Sequence, residues 1–286
     1  ERAKTADFVA HLKPDIVYHL AADATEGRSQ FTPFSALDRN WVAYTNLLVP
    51  AIKYGLKKMV LASSMSVYGA QKPPFKENLI TQPEDIYAAS KASMEVMTKI
   101  LSNVYGFTYC IVRPHNVYGP RQNLSDPYRN VIGIFINRLL QNKHFYIYGD
   151  GEQKRAFTYI DDVTDMIADM GFNKKFERRV FNVGSDHAIT VNGLASLVLR
   201  EFFGANVPKK ALPKYLPARP QEVKFAYCTQ DNLRKLTGYC AKISLTEGIK
   251  KKVAWAKSVG PQEFEYVNAL DLSNHLTPKT WKNKLL

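Results

Sequence analysis

Tyrosine and lysine stand four positions apart in Tyr87-Ala88-Ala89-Ser90-Lys91, downstream of a serine-rich run, Ser63-Ser64-Met65-Ser66-Val67-Tyr68-Gly69. Together these residue types can activate an alcohol whose carbon gives up hydride. A free phenol titrates near ~10 and is protonated at neutral pH, so it needs positive charge close by before it can serve as a base. On a helix, a lysine four residues on shares the tyrosine's face one turn away and supplies an ammonium. The cationic ring of an oxidised nicotinamide would add to the same effect.

The flanking sequence supplies elements that can hold these groups. Residues 85–105 read as a helix: Glu84 and Asp85 fall where a first turn favours acid, Ala88, Ala89, Ala92, Met94, Met97, Ile100 and Leu101 follow, and Gly106 ends it. Residues 58–62, Lys-Met-Val-Leu-Ala, form a short apolar run that reads as a buried parallel strand. Ser64 then sits at a strand's carboxyl end, where open α/β sheets bind ligands. A bare Tyr-x-x-x-Lys arises by chance on many helices as a packed tyrosine beside a solvated lysine. The upstream Ser-Ser-x-x-Val-Tyr-Gly is what gives the pair weight.

With these residues in place the chain resembles the extended short-chain dehydrogenase/reductase family, and within it the NAD-dependent epimerases and dehydratases of the UDP-glucose 4-epimerase type. The likeness runs from Asp15-Ile16-Val17-Tyr18-His19-Leu20-Ala21-Ala22, through Arg113-Pro114-His115-Asn116-Val117-Tyr118-Gly119-Pro120, to Arg155-Ala156-Phe157-Thr158-Tyr159-Ile160-Asp161-Asp162-Val163. It implies that Tyr87 is the base, that Lys91 lowers its pKa and holds the nicotinamide ribose, and that Ser64 shares the proton of the substrate hydroxyl. It also implies an NAD site lined by Leu20, Ala21, Ala22, Asn40, Ser63, Tyr87, Lys91 and Pro114.

A UDP-sugar site is implied mainly in the second lobe. A diphosphate favours the forked donors of arginine, and a uracil favours an aromatic face. By resemblance Arg155 and Arg219 clamp the diphosphate, Glu222 holds the nucleotide ribose, Asn116 and Asn130 with Val131 touch the phosphates, and Tyr146 and Tyr148 flank the base. Asp161 and Asp162 are read as caps of a helix starting near Val163 rather than as paired catalytic acids.

The fold expected is α/β, a Rossmann-like doubly wound parallel sheet with a smaller α/β substrate-binding lobe. Alternating signals place strands at 15–20, 58–62, 108–113, 145–148 and 180–183, and helices at 33–54, 85–105, 128–140, 162–171 and 191–203, with a kink at Pro50. Residues 1–114 would form the NAD-binding domain, with segments of 156–190 returning to it, and 115–286 mainly the substrate lobe and tail. None of the 15 glycines forms a Gly-x-x-Gly-x-x-Gly or Gly-x-Gly-x-x-Gly turn to cradle a pyrophosphate. Residues 1–12 read as the helix before the family's fourth strand, so roughly 60 residues, about two βαβ steps, are expected to be missing from an N-terminally truncated sheet.

Composition bounds the rest. No apolar run approaches the ~20 residues of a membrane span, and a cytoplasmic enzyme is expected. The three cysteines lack Cys-x-x-Cys spacing and read as reduced thiols, while the six histidines lack ligand spacing, so no metal site is expected. A net charge of +13 raises nucleic-acid binding, but the basic clusters at 209–210, 250–252 and 279–284 are separate and read as solvated surface. The resemblance further implies a homodimer through the helices of 33–54 and 85–105.

The reaction expected is 4-epimerisation of a UDP-hexose, UDP-glucose and UDP-galactose first. Dehydratases and decarboxylases of this family carry an acid between the serine and Val-Tyr-Gly, where this chain has Met65 and Ser66. Alternatives are a UDP-N-acetylhexosamine or UDP-glucuronate 4-epimerase, a dehydratase or decarboxylase, and a non-catalytic UDP-sugar-binding remnant. His115 and Pro114 replace an aromatic pair common before the equivalent asparagine, which leaves the sugar open.

Overall fold

Side chains that alternate between two apolar faces explain the central sheet. The computed structural model describes residues 1–286. Its strands are β1 Ile16–His19, β2 Lys58–Ala62, β3 Thr108–Pro114, β4 Val117–Tyr118, β5 Tyr146–Tyr148, β6 Lys154–Ala156, β7 Thr158–Tyr159, β8 Arg179–Val183, β9 Ala188–Thr190, β10 Lys214–Leu216 and β11 Phe225–Ala226. Strands β1, β2, β3 and β8 form one sheet in that order, all parallel. Met59 and Leu61 of β2, with Tyr109 and Ile111 of β3, face helices Arg2–Leu12, Ala43–Lys53 and Ile86–Tyr105 through Val9, Leu48 and Met94. Val60, Cys110 and Val112 face the opposite way, against Val163 and Met170 of helix Asp161–Phe172 and Leu233 of helix Asp231–Thr237. A strand covered on both faces has no polar side to show, which is why these runs are almost wholly apolar. The architecture is Rossmann-like α/β.

A second core lies beyond β3. Ile132, Phe135, Ile136 and Leu139 of helix Val131–Leu140 pack with Leu194 and Val198 of helix Val191–Phe203 and with Ile249, Val253 and Ala256 of helix Leu245–Val259. Short strand pairs edge this lobe: β5 with β10, β4 with β7, and β6 between β9 and β11. Between its parts the chain returns to the main sheet as helix Asp161–Phe172 and strand β8. No helix is long and apolar enough to cross a membrane.

Three local expectations are corrected. Pro50 sits inside a continuing helix, and the irregularity of residues 33–54 is a π-helical turn at Leu37–Val42, which turns Asn40 fully inward. Helix Val131–Leu140 starts three residues later than expected because Asn130 adopts left-handed backbone, φ 64°. Asp162 accepts the Lys242 and Ile243 N–H groups at 2.9 and 3.0 Å, so it anchors a separate segment rather than capping its own helix.

Candidate active site

Strands β1, β2 and β3 run in one direction and end together, and the residues that follow them open a cleft of about 550 Å³. Leu20 and Ala22 follow β1, Ser63 and Ser64 follow β2, and Pro114 with Asn116 stands at the end of β3; all line the cleft. Helix Ile86–Tyr105 supplies the same wall with Tyr87 and Lys91 from its buried face. Its start is well defined: Asp85 Oδ1 accepts the Ala88 N–H at 2.8 Å, and Ser29 Oγ accepts the Tyr87 N–H at 3.2 Å.

The structure brings Ser64, Tyr87 and Lys91 together. Lys91 Nζ donates to the Ala62 carbonyl at 2.7 Å and lies 5.8 Å from the centre of the Tyr87 ring. Ser64 Oγ accepts the Ser66 N–H at 3.1 Å and the Ser66 hydroxyl at 2.8 Å. Burial moves the pair toward its neutral forms. The Tyr87 phenol is pushed above its ordinary value first by burial and then by the charge of Glu26, against which a hydrogen bond with Ser64 acts. Burial lowers Lys91 from 10.5 to about 8, with the charge of Glu95 opposing. The expected depression of the tyrosine by its lysine is therefore not what the protein alone displays, because desolvation outweighs an ammonium committed to a backbone carbonyl.

NAD fits one end of this wall. An ammonium has three donors, and Lys91 has given one to Ala62, leaving two for ribose hydroxyls beside Ser63, Tyr87 and Pro114. Ala21 and Asn40, expected in the same site, do not line the cleft. Ala21 is exposed, whereas Asn40 braces the loop after β1, its Oδ1 accepting the Asp23 N–H at 2.9 Å and its Nδ2 donating to the Asp23 carbonyl at 3.2 Å. Ser63 lines the cleft while its hydroxyl donates to buried Glu95 at 2.5 Å.

Asn130, Val131, Tyr146, Tyr148, Arg155, Arg219 and Glu222 line the far side of the cleft. Arg219 donates to both carboxylate oxygens of Glu222, at 2.8 and 3.3 Å, and stacks 4.9 Å over the Tyr148 ring. Arg155 donates to the backbone carbonyls of Lys154 and Lys224 at 2.8 and 3.1 Å and also to that of Val223, and sits 4.0 Å from Glu222. Glu222, expected at a ribose, is here the shared counter-ion of the two arginines. Asn116, with a positive φ of 32°, spends its amide on the Ala156 carbonyl at 2.8 Å.

Several charged and aromatic cleft residues were not among the expected site residues. Glu26, Asp85, Arg129 and Trp281 all line the cavity. Burial raises Asp85 from 3.8 to about 7 despite its capping bond. Trp281 packs against Phe31 and Tyr128 and lies 6.0 Å from the Arg219 guanidinium, although it belongs to a basic run expected to be solvated. An acid a few residues past a strand's carboxyl end was the one available signal for Glu26.

Comparison with known proteins gives a consistent picture. Residues 1–184 match the model of the NAD dependent epimerase/dehydratase family. A UDP-glucuronate 4-epimerase of Thermodesulfobacterium geofontis is 35% identical over 246 residues, covering 84% of this chain and 72% of the relative. Among solved structures, the UDP-glucose 4-epimerase of Thermotoga maritima with UDP-glucose is similar at a TM-score of 0.82 and 31% identity, over 91% of this chain and 82% of that one. The UDP-glucuronic acid 4-epimerase of Bacillus cereus, in complex with UDP-glucuronic acid and NAD, gives a TM-score of 0.80 and 26% identity, over 89% and 78%.

Proposed function

The chain belongs to the NAD dependent epimerase/dehydratase family, and on that premise we propose that it inverts C4 of a UDP-hexose, with UDP-glucose and UDP-galactose as the pair interconverted. The observation that carries this reading is one cleft with Ser64, Tyr87 and Lys91 on one wall and the Arg155 and Arg219 guanidinium groups on the other. The hexose then lies between them, its diphosphate held by the arginines and its 4-hydroxyl against Tyr87 and Ser64. NAD, when bound, supplies the acceptor and donor of hydride.

The chain's own residues handle the proton and the orientation. Tyr87 takes the proton from O4 as the carbon is oxidised and returns it after the 4-keto sugar has turned its other face, while Ser64 shares the hydrogen bond to O4. Lys91 holds the ribose of the cofactor and keeps a positive charge near the phenol. No second acid stands between Ser64 and Tyr68, where Met65 is apolar and Ser66 gives its hydroxyl to Ser64. That supports return of the keto sugar to a hexose over dehydration or decarboxylation. Residues 1–114 with the returning parts of 156–190 serve the cofactor, and the rest mainly serves the substrate.

Tyr87→Phe removes the proton acceptor and little volume. We expect kcat for UDP-galactose to fall by roughly 10²- to 10⁴-fold, with UDP affinity unchanged by calorimetry. Turnover near that of the unaltered protein ends the assignment. The proposal includes a homodimer, supported by the outward apolar row Val96, Ile100 and Val104 on helix Ile86–Tyr105; a monomer in sedimentation at micromolar concentration removes it.

A further inference from the structure

Of the carboxylates that line the cleft, Glu222 answers its arginines, while Glu26, Glu84 and Asp85 do not. Arg155 and Arg219 are answered by Glu222, at 4.0 and 2.8 Å, and Arg129 is answered by Asp126 at 3.2 Å. Glu26 feels all three arginines and pairs with none of them within ion-pair distance. Its side chain is open to whatever enters the cleft, and the surrounding wall raises its carboxyl above the ordinary value by burial, an effect the three arginines oppose.

Its backbone position is fixed from both sides. Ser29 Oγ donates to the Glu26 carbonyl at 2.8 Å and accepts the Tyr87 N–H at 3.2 Å, so the turn Glu26–Ser29 is pinned to the start of the catalytic helix. On the other side, a Cβ added at Gly27 would stand 3.2 Å from the Trp281 ring and 3.7 Å from the Arg219 guanidinium. Glu26 therefore occupies the stretch between the arginine clamp and the tyrosine, and its charge reaches the Tyr87 phenol and the Asp85 carboxyl.

We propose that Glu26 selects an uncharged hexose: its spare carboxylate accepts hydrogen bonds from sugar hydroxyls and repels a substrate bearing a carboxylate at C6. This deepens the reading of the cleft as a UDP-hexose site and rests on it. The diphosphate takes up Arg155 and Arg219, so those two cations are not free to offset a uronate. Of the other charged groups on the wall, Glu26, Glu84 and Asp85 are acidic, Arg129 is paired with Asp126, and Lys91 is turned to Ala62. Two like charges a few ångströms apart in a partly desolvated cleft weaken binding by roughly ten- to a hundredfold.

The test is calorimetric titration of the NAD-supplemented protein and its Glu26→Gln and Glu26→Asp variants with UDP, UDP-glucose and UDP-glucuronate at pH 8, a pH chosen to keep the carboxylate ionised. The unaltered protein and Glu26→Asp should bind UDP-glucose at least about tenfold more tightly than UDP-glucuronate. Glu26→Gln should bring the two sugars within about threefold of each other, by the same charge argument, and leave UDP affinity unchanged. A preference for UDP-glucuronate in the unaltered protein, or an unchanged sugar ratio in Glu26→Gln while UDP binds normally, overturns the role of Glu26 alone. Failure of UDP itself to bind overturns the nucleotide-sugar reading of the cleft and this proposal with it.

Discussion

Replacing Lys252 by methionine should stabilise the protein at pH 6 and add little at pH 9.5. The lysine is fully buried on helix Leu245–Val259, in the core of the smaller lobe, and its ammonium has one hydrogen-bond partner, the amide oxygen of Gln122. Without a carboxylate in reach, burial lowers its pKa from 10.5 to about 7. At about 1.4 kcal/mol per pH unit, forcing that group to remain charged in the fold costs about 5 kcal/mol. The cost is complete below pH 7 and shrinks as pH rises toward the unfolded value near 10.5, because over that window the unfolded chain holds the proton more tightly. By pH 9.5 about one pH unit of the difference remains, roughly 1.4 kcal/mol. Methionine fills a similar volume and leaves Gln122 without its donor. Gln122 is only partly buried at the cleft wall, so water can replace that bond for about 1 kcal/mol at either pH. The expected gain is then about 4 kcal/mol at pH 6 and close to zero at pH 9.5. Urea unfolding of both proteins at the two pH values, followed by tryptophan fluorescence, measures it. A gain of equal size at both, or a loss at pH 6, refutes the reasoning.

Arg219→Ala should weaken UDP binding roughly ten- to a hundredfold, the worth of a lost charge-assisted contact with the diphosphate. Its kcat at saturation should change little, and an unaltered Kd by calorimetry counts against the clamp. Glu95→Ala should lower unfolding stability by about 3–5 kcal/mol, since it strands the buried Arg113 guanidinium that Glu95 holds at 2.7 and 2.9 Å. A loss below about 1 kcal/mol in urea unfolding contradicts that buried pairing.

What could be read from the chain depended on whether a residue's partners are close in sequence. Strand β2 and helix Val191–Phe203 begin and end where apolar period and turn residues place them, and Tyr87 and Lys91 share a helix face for the same reason. Helix Val131–Leu140 was misplaced at its start because the left-handed Asn130 leaves no periodic signal. Lys252 was counted with a solvated lysine run, yet Ile249, Val253 and Ala256 recur at helical spacing around it and mark its face as the buried one. Lys251, one residue earlier, does pair with Glu247 at 2.9 Å on the outside. Glu26 and Trp281 had no such pattern, because a four-residue turn and a C-terminal segment acquire their meaning only where they meet Arg219.

Glu95 shows that the fold and the chemistry are joined through one carboxylate. It stands one turn beyond Lys91, so it counters the burial that would otherwise carry the lysine further down from about 8. At about 8 the ammonium is still largely charged at neutral pH, as the role proposed for it beside Tyr87 requires. The same carboxylate accepts the Ser63 hydroxyl at the end of β2 and the Arg113 guanidinium from β3, locking helix Ile86–Tyr105 to the two strands whose ends open the cleft. The position of Ser64 beside Tyr87 and the charge of Lys91 therefore depend on a single buried network. Arg113 holds that carboxylate at 2.7 Å, so the group that opposes the burial of Lys91 is itself fixed to β3, and removing Glu95 loosens the lysine, Ser63 and Arg113 together.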